Sequence, residues 1–176
     1  MKTSLLLALA VCLGVFSVMA DALEIPTAVL ERHQASCPDF TSPERGEYLL
    51  KESFTLPGSE YSPKTKTLYL IGCEMYAYNS LEKAYIVDSY GQVTNVSVVE
   101  VGSEGSLTAT SDLMGAGFDL ETLTLGTFSK GRGMGDCGSN ATYKYDSKIE
   151  KFVLIEARLK EACDGLETDW PLVYKK

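Results

Sequence analysis

The chain has 176 residues, of which 45% are hydrophobic, and it carries a formal net charge of −8 at pH 7. Its length suits one domain with a hydrophobic core of its own. The excess of acids argues against nucleic acids and anionic membranes as binding partners, because both repel a negatively charged surface. The same charge is compatible with a basic partner.

Residues 1–20 predict a secretory signal peptide. One lysine is followed by the apolar run 5–18 and then by small residues, which is the usual order in such leaders. We expect cleavage after Ala20, with cleavage after Ala22 as the alternative, and an exported product that is periplasmic or secreted. Residues 21–176 would then form a single disulfide-stabilised β domain, and no later segment has the roughly 18 apolar residues that span a membrane.

Four of the five cysteines lie beyond the predicted leader. An even number of cysteines in an exported protein predicts disulfides, and four cysteines allow three connectivities. From their order in the chain we favour Cys37–Cys73 and Cys137–Cys163. No two cysteines have metal-ligand spacing and the only histidine is His33, so we expect no metal site and no cofactor.

The mature chain begins with a short predicted helix. Pro26 suits the first position of a helix that continues to Gln34, with Ile25 and Val29 on its buried side. His33 is a further candidate for this buried side, and we favour a surface or helix-end position over a ligand role. A ligand or catalytic role is disfavoured because no second histidine is present to assist it.

The rest of the chain has the pattern of a mainly β protein. Short β-prone runs are separated by turns rich in Gly, Pro, Asn, Asp and Ser. The predicted strands are 48–56, 67–78, 84–88, 93–101, 123–128, 142–145 and 151–158. We interpret 102–117 as a loop and Trp170 to Leu172 as the end of the ordered chain. The predicted fold is a single sandwich- or barrel-like antiparallel domain with a short N-terminal helix.

The segment 130–138 contains four glycines, two cations, a carboxylate and a cysteine. Glycines at this density indicate a tight turn, because glycine tolerates positive φ and close backbone approach. We favour a disulfide-pinned turn in which Arg132 and Asp136 bind each other or nearby carbonyls. The alternative is an anion-binding loop in which Lys130 and Arg132 face a carboxylate or phosphate. A dinucleotide site is rejected because a strand follows the glycines instead of a helix.

The chain has ten tyrosines, and four of them lie in a weak internal repeat. Tyr76 and Tyr78 precede one Asx-Ser turn, and Tyr143 and Tyr145 precede another. In both copies an aromatic-aliphatic strand follows the turn. We interpret the repeat as two similar hairpins. The alternative is a duplicated unit whose tyrosine pairs pack together or form a binding platform.

Several segments of the chain resemble one known family. They are Cys73–Asn79, Phe118–Leu125 and Lys130–Gly138, and the dipeptide Trp170-Pro171 also fits. The family is DUF1176, a bacterial family of unknown function, and the match resembles its C-terminal part over roughly Cys73 to Pro171. This sequence departs from the family where Tyr143 and Tyr145 replace a usual tryptophan. The resemblance implies an exported bacterial protein in which Cys137 and Cys163 are bridged, and it implies no activity.

The residues favour a binding domain over an enzyme. No serine or cysteine has the surroundings of a catalytic nucleophile, and no H-E-x-x-H, P-loop or EF-hand loop is present. We expect a non-catalytic domain of the cell envelope that binds a protein, peptide or glycan. The alternatives are an envelope glycan hydrolase that uses a carboxylate pair and an inhibitor of a foreign enzyme. The candidate contact residues are Lys130, Arg132, Asp136, Tyr76, Tyr78, Tyr143 and Tyr145.

Overall fold

A computed structural model describes residues 23–42, 46, 49–102, 105–166 and 168–176. Within these ranges the chain forms twelve strands in three antiparallel sheets, and one α-helix lies near the N-terminus. The predicted mainly β, antiparallel fold class is confirmed, and the sheets do not close into a barrel. The predicted leader and the start of the strand predicted at residue 48 lie outside the described residues.

The elements are numbered in chain order. Helix α1 spans Thr27–Ser36, and a 3-10 turn follows at Pro38–Thr41. The strands are β1 (Lys51–Leu56), β2 (Lys66–Met75), β3 (Ser80–Val87), β4 (Val93–Asn95), β5 (Val98–Val101), β6 (Leu107–Thr110), β7 (Leu113–Met114), β8 (Gly117–Asp119), β9 (Thr124–Lys130), β10 (Gly138–Asp146), β11 (Lys151–Lys160) and β12 (Leu172–Lys175).

The first sheet has the order β1-β2-β3-β4, and β7 also pairs with β3. Its strand β2 is buried on both faces, which explains why the strand is apolar at successive positions instead of alternating. Leu68 and Leu70 belong to the core shared with the second sheet. Tyr69 and Ile71 pack with Val29 of helix α1 on the opposite face. The first sheet therefore lies between the helix and the second sheet.

The second sheet has the order β12-β11-β10-β9-β8, and the hairpin β5-β6 forms a separate small sheet. Leu125, Tyr143 and Leu154 point from the second sheet into the main core. Val98 and Val101 of the small hairpin join the same core. Each large apolar side chain buried there contributes about 1.5–3 kcal/mol, so this shared core holds the sheets together.

One irregularity decides which side chains of β11 face the core. The register between β10 and β11 shifts between Thr142 and Tyr143, as in a β-bulge. On one side of the shift Leu154 is buried, and on the other side Ala157 is buried, although the two positions differ in parity. A bulge reverses the in-out alternation of the residues that follow it. Arg158 is therefore directed to the outer face of the sheet.

The structure corrects several predicted elements. The segment 102–117 is not a loop, because it contains β6 and β7. The predicted strand 93–101 is two strands, β4 and β5, which pair in different sheets. The ordered chain also continues past Leu172, where β12 pairs with β11. These strands have only two to four residues each, so their partners in the sheets determine them more than their own residues do.

Of the positions that the sequence leaves open for His33, the structure shows the buried one: the residue lies in the last turn of helix α1, on its inner side, and is completely buried. Its Nδ1 lies 3.1 Å from the Tyr85 hydroxyl, and its Nε2 lies 2.9 Å from the Gly72 carbonyl oxygen. A carbonyl only accepts, so Nε2 donates to Gly72 and Nδ1 accepts from Tyr85. Burial lowers the pKa of His33. The neutral ring thus joins the helix to the first sheet.

Candidate functional site

The glycine-rich segment forms the loop between β9 and β10. It closes where the N–H of Gly131 donates to the carbonyl of Cys137 at 2.8 Å. At the start of β10, Gly138 has a φ of +139°, and a Cβ there would lie 1.9 Å from the carbonyl oxygen of Ser129. Glycine is required at this position both by its backbone angle and by the lack of space.

Both predicted disulfide pairings are present in the structure. Cys137 bonds to Cys163, with 4.9 Å between their Cα atoms, and ties the glycine loop to the segment after β11. Cys37 bonds to Cys73, with 4.8 Å between their Cα atoms, and ties the end of helix α1 to β2. The Cys137–Cys163 disulfide closes a sequence separation of 26 residues. It contributes about 3.5 kcal/mol to the free energy of unfolding, because it lowers the entropy of the unfolded chain.

Asp136 is the polar centre of the loop. Its carboxylate accepts two hydrogen bonds from the Arg132 guanidinium, from Nε at 2.7 Å and from Nη2 at 2.6 Å. The N–H of Gly165 donates to the same carboxylate at 2.6 Å. The hydrogen bonds from the Arg132 guanidinium are the main reason why the pKa of Asp136 lies well below its usual range. Asp136 is buried, ionised and fully bonded, so it is poorly suited to act as a general acid.

The tip of the β2–β3 hairpin docks on this loop through Asn79. The side-chain amide of Asn79 donates to the carbonyl of Lys130 at 3.0 Å, and its oxygen accepts from the N–H of Lys130 at 2.8 Å. The ring of Tyr78 lies against Gly133, where a Cβ would come within 2.8 Å of it. The two large sheets are therefore joined at this corner. The sequence predicts only a turn at Asn79, because nothing local indicates a contact 51 residues away.

Four side chains at this corner face solvent, and we call them the corner surface: Tyr76, Tyr78, Arg132 and Met134. Tyr78 is 57% exposed and Met134 is 71% exposed. Tyr76 is also exposed, and its hydroxyl donates to the Glu74 carboxylate at 2.7 Å. Tyr, Met and Arg are the residue types enriched where proteins bind each other.

The other two candidate tyrosines do not reach the surface. Tyr143 and Tyr145 are 1% and 3% exposed and point into the main core. The Tyr143 hydroxyl donates to the carbonyl of Val99 at 3.2 Å, and burial raises the pKa of Tyr145 to about 12. The alternative prediction of a platform of four tyrosines is therefore wrong. Tyr76 and Tyr78 follow the end of β2, whereas Tyr143 and Tyr145 lie inside β10. The two hairpins themselves are present.

The described residues hold neither a metal-ligand cluster nor a membrane-spanning helix. No group of three or more His, Cys, Asp or Glu side chains is placed there to hold a metal ion. In the same part of the chain, no helix is long and apolar enough to cross a membrane.

Comparison with known proteins gives a family but no activity. The family described as a protein of unknown function (DUF1176) matches residues 33–176, a longer stretch than the resemblance predicted. The uncharacterized protein YpfG of Escherichia coli (strain K12) is 32% identical over 113 residues, which are 62% of this chain and 32% of YpfG. The chain thus spans about a third of the length of that relative. No solved structure matches it.

Proposed function

This chain belongs to DUF1176, a protein family of unknown function, and we propose that it is a non-catalytic domain that binds a protein partner through the corner surface. One observation carries the proposal: Tyr78 and Met134 are largely exposed although the loop beneath them is fixed by a disulfide and by side-chain hydrogen bonds. We further propose that the protein acts in the bacterial cell envelope or outside the cell, because disulfides persist in oxidising compartments.

A fixed loop is a favourable base for binding. Association costs free energy for every loop and side chain that must be ordered, and a preorganised surface avoids much of that cost. Here the backbone beneath Tyr78 is held by Asn79, and the backbone beneath Met134 is held by the Arg132–Asp136 pair. Tyrosine adds a large contact area with few rotatable bonds. The corner surface thus combines exposure with rigidity.

The partner that fits this surface carries a net positive charge. The chain has 24 acidic residues against 16 Lys and Arg residues, so a basic partner approaches faster and an acidic one is repelled. The buried carboxylate of Asp136 offsets the charge of Arg132 and leaves the tyrosines and Met134 as the main contacts of the corner surface. An enzyme of foreign origin that this protein inhibits would be one form of such a partner.

A carboxylate hydrolase receives less support from the described residues. Burial raises the pKa of Glu82, which lines a cavity between the segment before β1, strands β2 and β3, and the turn after β7. However, the Ala116 N–H donates to the Glu82 carboxylate at 2.7 Å, and no second carboxylate lines that cavity in the described part of the chain. Retaining and inverting hydrolysis both need two carboxyl groups. Asp136, with its lowered pKa, is already occupied.

Site-specific photocrosslinking tests the proposal. A photoreactive residue placed at Tyr78 should capture one main partner from the envelope fraction of the producing cell. The matched control is the same residue at Tyr61, which is 89% exposed and lies between β1 and β2. Identical captured proteins at both positions would contradict the proposal.

The captured partner then allows a quantitative test. Tyr78→Ala should weaken its binding at least tenfold, as expected for an aromatic interface residue, while Tyr61→Ala should leave it unchanged. Arg132→Ala is less suitable, because it leaves the buried carboxylate of Asp136 without its cation and reduces stability as well. Calorimetric titration of the partner with each variant measures the effect. An unchanged affinity in Tyr78→Ala would remove the corner surface from the function.

A further inference from the structure

A second candidate site lies on the outer face of the second sheet. Phe128, Asn140 and Arg158 stand directly opposite one another on the adjacent strands β9, β10 and β11. The ring of Trp170 stacks on Phe128, with 5.3 Å between ring centroids and 17° between the planes. These side chains and Gly135 of the glycine loop surround a depression of about 400 Å³.

The aromatic pair is held in place by the protein itself. Nη1 of Arg158 donates to the carbonyl of Trp170 at 3.0 Å, and its Nε donates to the Glu156 carboxylate at 2.7 Å. The N–H of Leu159 donates to the carbonyl of Pro171 at 3.0 Å. The segment that carries Trp170 is thus fastened to β11 at Trp170 itself and at the next residue. Preformed depressions of this size are typical of small-ligand sites.

Two polar groups at the depression have no hydrogen-bond partner in the described part of the chain. They are the side-chain amide of Asn140 and the carboxylate of Asp169, both of which line the depression. An amide offers two donors and an acceptor, and a carboxylate accepts only. The adjacent hydroxyl of Thr168 accepts a long bond of 3.4 Å from Lys160. This set of groups is suited to the hydroxyls of a ligand.

We propose that this depression binds a neutral saccharide. The C–H groups on the face of a sugar ring carry slight positive charge and pack on the electron-rich face of an aromatic ring, here the Phe128–Trp170 pair. The ring hydroxyls then bond to Asn140 and Asp169. The ligand is neutral because Glu156 already offsets the charge of Arg158 and Asp169 would repel an acidic sugar. This site does not depend on the protein partner proposed above.

Fluorescence gives a direct test, because Trp170 is the only tryptophan of the chain. The purified protein would be titrated with chitotriose, maltotriose and cellotriose, and with trigalacturonic acid and trialanine for comparison. We expect at least one neutral trisaccharide to change the tryptophan emission in a saturable way, with a dissociation constant on the order of 1 mM. A flat response to all three, or a stronger response to the acidic sugar or the peptide, would overturn the proposal.

Variants locate the binding. Asn140→Ala should weaken the trisaccharide about tenfold, since it removes hydrogen bonds to the ligand and leaves the rings in place. Phe128→Leu keeps an apolar side chain but removes the stack, and it should weaken binding to a similar extent. The matched control is Asn95→Ala on β4 of the other sheet, which should bind normally. Calorimetry measures the affinities and thermal unfolding checks the fold; native affinity in Asn140→Ala would refute the site.

Discussion

The two disulfides fasten regions of opposite character. Cys37 and Cys73 are buried with Leu81 in an apolar cluster beneath helix α1, so packing and the covalent bond act together there. Cys137 is buried but Cys163 is exposed, and the glycine loop that ends at Cys137 relies on polar contacts to Asp136. The Cys37–Cys73 disulfide adds to the stability of a hydrophobic cluster, whereas the Cys137–Cys163 disulfide holds a region that polar contacts stabilise instead. Rigidity at a surface is thus obtained here without hydrophobic burial.

The largest expected effect comes from removing each bridge. The double variant Cys137→Ala with Cys163→Ala should lower the free energy of unfolding by about 3.5 kcal/mol, from the regained entropy of the unfolded chain. The matching double variant of Cys37 and Cys73 should lose more, because it also leaves a cavity in a buried cluster. Urea denaturation measures both. A smaller loss for the Cys37–Cys73 pair would contradict the comparison.

The next effect concerns the backbone of the loop region. Gly138→Ala should cost about 3 kcal/mol, because the new methyl group meets the Ser129 carbonyl at a φ unsuited to alanine. Gly91 is the control, since its φ is +80° but nothing lies within 4 Å of a Cβ there. Gly91→Ala should therefore cost only about 1 kcal/mol. Equal losses in urea denaturation would show that the close approach at β10 is unimportant.

A smaller effect is expected from the link between the loop and the β2–β3 hairpin. Asn79→Ala removes both hydrogen bonds to the Lys130 backbone and should cost about 1–2 kcal/mol. Hydrogen exchange should then speed up at Lys130 while remaining slow in β2. Asn95→Ala, at an exposed position of β4, should change stability by less than about 0.5 kcal/mol. Unchanged exchange at Lys130 would mean that Asn79 does not contribute to fixing the loop.

The smallest expected effect is a difference in how the stability of the two regions, the helix region around His33 and the glycine loop around Asp136, depends on pH. His33 has a lowered pKa, so below its ordinary value of 6.5 the unfolded chain binds a proton that the folded chain does not, and stability falls. Asp136 also has a lowered pKa, so its contribution is complete above 3.8 and is lost only below that value. Mild acid should therefore weaken the helix region first.

Unfolding measured from about pH 7 down to about pH 4 tests this order. The variant His33→Gln, which cannot titrate, should lose the decline that begins near neutral pH. Since His33 is the only histidine of the chain, its ring proton resonances report its protonation directly. A normal histidine titration in the folded protein would contradict the burial described here.

The sequence predicts features that depend on nearby residues. The apolar run in β2, the pairing of Arg132 with Asp136 and the glycine-rich turn follow from local composition. The same reasoning fails where distant register decides the outcome. Asn79 contacts Lys130 only because the two sheets meet. Tyr143 is buried because it lies within β10, whereas its counterpart in the repeat, Tyr76, lies outside a strand.

The saccharide site could not be predicted for the same reason. Phe128, Asn140 and Arg158 are far apart in the chain, and only the pairing of three strands brings them into one row. Simple alternation from Phe152 and Leu154 would place Arg158 on the core side of β11. No residue in that stretch signals the bulge that directs it outward.

The bulge between β10 and β11 has a consequence for comparing relatives of this protein. A relative that has the same number of residues in β11 but pairs them without the bulge would shift the strand by one position and invert the facing of everything up to the end of β11. Its counterpart of Arg158 would turn inward and its counterpart of Ala157 outward, so the ring of Trp170 would lose its anchor. A relative that lacks the one extra residue would instead keep both facings, so a single-residue gap at this point in an alignment is compatible with the same outer face.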